Sequence, residues 1–165
     1  MRGVIRHDPH EETPPVIDYP NPNVDEWAAE LRGFAERIVS SLGGDPQWLR
    51  TNPDWAIALV DRGIAEDFDP TVMDEDDRHR FRGMLMAVTG EFLLNAHGAH
   101  WAWLLDDTSP LGGRWVVTGF THPLGQKTHP VDIGRISDDA LSLRQVQVID
   151  LINTAERESG LRVIA

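Results

Sequence analysis

Apolar residues recur at helical spacing in three stretches of the N-terminal half, and then the pattern changes to alternation. Val24, Trp27, Ala28, Leu31, Phe34, Ala35, Ile38 and Leu42 fall on one helical face. Asn23 stands at the N-cap position, Glu26 three residues on completes a capping box, and Gly43–Gly44 supplies the stop. A short turn from Asp45–Pro46 carries Trp48 and Leu49. Asn52–Pro53 then opens a second helix to about Asp67, with Trp55, Leu59, Val60, Ile64 and Phe68 as its expected inner face. Gly63 weakens it by about 1 kcal/mol relative to alanine. After Asp69–Pro70, the acids from Asp74 to Asp77 fall where the positive end of a third helix dipole attracts negative charge. Its stripe is Phe81, Met84, Leu85, Val88 and Phe92, and Gly98 is the predicted stop.

Beyond Gly98 the period shortens to two. Trp101, Trp103 and Leu105 alternate with His100, Ala102 and Leu104, and a second strand-like run covers Arg114 to Phe120 after a turn over 106–113. A third candidate strand is His129 to Ile136, which completes an antiparallel meander. Leu143, Val146, Ile149, Ile152 and Ala155 return to helical spacing, with Ser142 and Gln145 as a capping box and Gly160 as the stop. Leu161 to Ile164 could supply a short edge strand. The pattern predicts an α+β fold: three N-terminal helices, a small antiparallel three-stranded meander and a C-terminal helix. Residues 1–22, with five prolines, read as an extended acidic arm, free or laid along the domain through Val16, Ile17 and Tyr19. Residues 23–165 form one domain.

Composition narrows the function more than it names one. The 165 residues suffice for a single core, and the absence of cysteine removes disulfides, thiolate metal sites and cysteine nucleophiles together. With 27 acids against 15 bases, a net charge of −12 disfavours nucleic acid, which is bound through cation-rich patches. The pattern holds no apolar run long enough to span a bilayer and no secretory signal, so a cytoplasmic protein with no membrane partner is expected.

Residues 90–93 (Gly-Glu-Phe-Leu), 113–115 (Gly-Arg-Trp) and 129–132 (His-Pro-Val-Asp) stand in an order that resembles small bacterial domains of unassigned activity. Those domains place a helix ending in a Gly-Glu-aromatic step before a Gly-Gly-x-Trp hairpin. The resemblance covers about 45 residues and implies the helices-then-meander fold; it carries over no functional residue.

Candidate chemistry gathers in 90–135, which holds three of the six tryptophans and four of the seven histidines. Convergence of His97, His100, His122 and His129 would make an all-imidazole site suited to zinc, copper or nickel, but the spacing matches no metal motif and separate loop or helix-end histidines explain it as well. Glu91 flanks the apolar stripe of the third helix, so partial burial would raise its pKa, and Asp132 is a candidate partner across the sheet. The simpler alternative is a Glu91 that reaches solvent or pairs with an arginine such as Arg114. Trp101, Trp103 and Trp115 form an aromatic sheet face that either anchors a partner or is covered by the chain's own helices, core packing being the favoured reading. Nucleophile-elbow, Walker and dinucleotide motifs are missing, and no metal or cofactor is expected. The leading expectation is therefore a non-enzymatic acidic interaction module, an adaptor or immunity-type protein with a protein partner. The alternative is a small-molecule binder or enzyme at the junction of the third helix and the hairpin, built on Glu91, His97, His100 and Asp132.

Overall fold

The computed structural model describes residues 4–6 and 23–161. In chain order the elements are β1 (Val4–Arg6), α1 (Val24–Ser41), α2 (Trp48–Thr51), α3 (Pro53–Asp67), α4 (Glu75–His97), β2 (His100–Leu105), β3 (Gly113–Thr118), α5 (Ile133–Leu141) and α6 (Val148–Ser159). The mixed α+β class and the three long N-terminal helices agree with the periodicity. The Asn23 cap is formed as expected, Asn52 makes no side-chain cap bond at the start of α3, and the acidic run supplies a cap to α4. The Asn23 side chain accepts from the Glu26 N–H at 3.1 Å, and that of Asp74 accepts from the Asp77 N–H at 2.8 Å. Gly98 closes α4 in the left-handed region, where a Cβ would be strained.

α4 is the central element and packs against α1, α2, α3, α5, α6 and β3. Its middle is buried on every side, from Met84 through Glu91, so one amphipathic stripe does not describe it. Short side chains at Ala87, Thr89 and Gly90 let the neighbouring elements approach. α3 uses the same device. A Cβ at Gly63 would meet the Leu42 side chain at 2.8 Å, so the glycine that weakens the helix also seats Leu42 against it. The buried face of α3 is Ala56, Ile57, Val60, Gly63 and Ile64, while Trp55 and Phe68, expected inside, are exposed. Trp55 sits on the edge of that stripe and meets Trp48 edge-to-face at 5.7 Å.

The predicted three-stranded antiparallel meander is not formed. Among the described residues the antiparallel ladder is formed by β2 and β3, in the register Trp101↔Val117 and Trp103↔Trp115. β1 lies on the other edge of β2 and runs parallel to it, so part of the expected arm belongs to the sheet. The remainder of the arm (residues 1–3 and 7–22) and most of the suggested edge strand at 161–164 lie outside the described residues. The third candidate, 129–136, contributes a single bridge between Val131 and Val117. Asp132 then caps a helix, its carboxylate accepting from the Arg135 N–H at 2.9 Å, and Ile133, Ile136 and Ala140 take up helical spacing.

The C-terminal helix is also two helices. Ser142, expected as an N-cap, ends α5 and donates its hydroxyl to the Asp139 carbonyl at 2.6 Å. The cap of α6 comes from α3. The Asp61 carboxylate accepts from the N–H groups of Val148 at 2.5 Å and Ile149 at 3.2 Å. Among the described residues no helix is long and apolar enough to cross a membrane.

Candidate functional site

A cleft of about 770 Å³ lies between the N-terminal half of α1, the α2 segment, the last turns of α4 and the start of β2. Its position follows from the helix faces. Val24, Ala28 and Arg32 repeat every four residues along α1 and form one wall. Leu49 supplies part of the opposite wall, and Trp101 comes in from β2. Glu91, Leu94 and Asn95 line it from α4, with Glu91 buried at 4% exposure.

The Glu91 carboxylate is incompletely satisfied. Oε2 lies 3.9 Å from Arg32 Nε and 3.4 Å from Asn95 Nδ2, both long contacts. The Asn95 amide makes its shorter bond, 2.8 Å, to the Glu91 carbonyl one turn back. Oε1 has no hydrogen-bond partner among the described residues. Burial pushes the Glu91 pKa up; Arg32 and the Asn95 amide oppose that shift, and Glu36 adds to it. Leaving such an atom unpaired costs about 1–3 kcal/mol, more when it is charged. The indole N–H of Trp101, which lines the same cleft, is likewise buried and unpartnered among the described residues.

The tryptophans of the hairpin pack into the core. Trp101 is 1% exposed and Trp103 is 6% exposed. Trp27 of α1 stacks flat on Trp115 at 4.4 Å and meets Trp101 edge-on at 5.8 Å, while Trp103 meets Trp115 edge-on at 5.1 Å. The four rings lock α1 to the sheet, and Trp101 and Trp103 are closed to a protein partner.

The other expected site residues are dispersed. His97 turns toward α6, its Nε2 lying 2.8 Å from the buried Glu156 carboxylate. His100 lines the cleft and is exposed. His122 Nδ1 accepts from the Leu124 N–H at 3.0 Å, and His129 is exposed, its backbone N–H bonded to the Ser159 carbonyl. Among the described residues no three His, Asp or Glu side chains are placed to hold a metal ion. Asp132 does not face Glu91. It caps α5 and lies 3.4 Å from Arg114, whose Nε is 3.5 Å from Asp106. The carboxylate electrostatically closest in effect to Glu91 is Glu36, and the arginine beside it is Arg32, not Arg114.

Several residues of this region escape a sequence reading. Arg32 reaches Glu91 from α1 through a tertiary contact with no local signature, and the α2 wall joins the cleft in the same way, whereas Asn95 lies one turn on in α4 and its spacing could have been read. Glu156 did leave a signal: Ile152 lies four residues before it and Ser159 three after, so it falls on the buried stripe of α6. No family model matches the chain, and neither a curated protein nor a solved structure matches it. The resemblance of residues 90–132 to small bacterial domains rests on its short strings alone.

Proposed function

We propose that the protein binds a small polar molecule in the α1–α2–α4 cleft and that Glu91 receives its hydrogen-bond donor. The observation that carries this reading is a buried Glu91 Oε1 without a partner among the described residues, on a residue that lines a cleft of about 770 Å³, within the usual range of ligand pockets. An ammonium, amide or hydroxyl donor would satisfy that oxygen, with Leu49, Leu94 and Trp101 against the apolar part of the ligand. The reading is one of binding, and it assigns no reaction. The surplus of negative charge supports ligands and partners other than nucleic acid.

A panel of small amines, amino acids and polyols, titrated into the protein while indole emission and heat are followed, tests it. At least one class should bind saturably at one site, perturb Trp101, and lose its binding in Glu91→Leu, a variant expected to stay folded. A panel without a binder, or binding that survives in the leucine variant, contradicts the reading.

A further inference from the structure

A second depression, of about 540 Å³, lies on the far end of α1 and shares no residue with the Glu91 cleft. Phe34 of α1 and Phe81 and Met84 of α4 line its apolar side. The α3–α4 connection adds Phe68, Val72 and Met73, with Phe68 stacked on Phe81 at 4.9 Å. Phe68 is 40% and Val72 78% exposed. Apolar surface of this kind, left open beside an acidic rim, is what a docking site requires. Methionine side chains at such a surface adapt to varied partners.

The charge around the depression selects the partner. Asp67, Asp69 and Asp77 line it against a single cation of the lining, Arg80. The Asp69 carboxylate is bonded to the Thr71 hydroxyl and N–H, which holds its pKa below the ordinary value and keeps it charged. Arg78 is directed elsewhere, to the Pro70 and Leu141 carbonyls. Arg37 already lies over the Phe34 ring at 5.9 Å, an intramolecular version of the contact that a partner's cation would make. A second copy of the chain would bring another twelve negative charges to this surface and be repelled. We infer that this groove docks a basic segment of a partner protein, one with large apolar side chains flanked by lysine or arginine.

The probe is a fluorescent synthetic peptide that alternates Leu/Phe with Lys/Arg, compared with the same peptide carrying glutamate at every basic position. The basic peptide should bind saturably to the full chain, shift the Met73 and Met84 ε-methyl resonances, and weaken as salt is added. Val72→Lys with Asp67→Lys alters two exposed positions and should cut its affinity roughly tenfold or more. Equal binding of the glutamate peptide, unmoved Met73 and Met84 methyls, or undiminished affinity in the double variant would each overturn the proposal. A homodimer seen by light scattering and abolished by Val72→Lys would also overturn it, by giving the groove to a second copy. Because Glu91→Leu leaves these residues untouched, the peptide should bind that variant normally, which separates this proposal from the fate of the cleft.

Discussion

Trp101 occupies the space that a side chain at residue 90 would need. A Cβ built on Gly90 would lie 2.3 Å from Cζ2 of the Trp101 ring, a rigid atom backed by Trp27. Gly90→Ala should therefore destabilise the protein by about 1–3 kcal/mol, the usual cost of overpacking, although alanine is the better helix former. Chemical denaturation checks this, and an unchanged or raised midpoint would contradict the packing described. The sequence displays Gly90 inside an apolar helix without its reason, because the reason is a ring eleven residues away. Glu91 is legible as a stripe-edge acid from its spacing to Met84 and Val88, but that spacing leaves burial with a raised pKa and exposure to solvent both open, and the structure buries it. Its company is legible only in part. Arg32 and Glu36 meet it only after α1 and α4 have packed, Asn95 reaches it from the next turn of the same helix, and Asp132, the partner expected from the strand pattern, serves as a helix cap.

Among the elements, those with local caps were readable and those capped from a distance were not. α1, α3 and α4 carry their own start or stop signals in Asn23, Pro53, Asp74 and Gly98. α6 has no capping side chain at Gln147, and its first N–H groups depend on Asp61 of α3. That dependence explains why the sequence pattern starts the C-terminal helix at Ser142 rather than at Val148: the capping residue is 87 positions away in sequence. Asp61→Ala removes both bonds and should cost about 1–2 kcal/mol, in the range of other N-cap deletions. Hydrogen exchange of the first α6 amides should quicken in the same variant. Exchange and stability left as in the wild type would show that the cap carries no weight. The third strand failed for a related reason. A run of alternating residues beginning at His129 is consistent with a strand until Asp132 is recognised as an N-cap, and only the Val131 bridge survives of the pairing.

At the scale of the whole molecule, a helix buried all round in its middle carries an acid that the described residues do not fully satisfy. Such an arrangement sets the pH dependence of stability. Burial raises the folded pKa of Glu91 above its unfolded value, so between the two values the native state binds the extra proton. The associated stability is fully present below the unfolded pKa and is lost as pH rises through the folded one, by roughly 1.4 kcal/mol for each unit separating them. Asp61 is raised by burial as well and contributes with the same sign, but it is common to wild type and to any Glu91 variant. The difference between the two proteins isolates Glu91. Unfolding free energies of wild type and Glu91→Gln, measured by denaturant from about pH 4 to pH 8, test the account most directly. The glutamine variant should gain on wild type as pH rises from the unfolded to the folded pKa of Glu91 and hold that gain above it, because its side chain bears no charge to bury. A difference that stays flat, or a variant less stable throughout, would mean that the Glu91 carboxylate is fully held by the protein and is not an open acceptor awaiting a ligand.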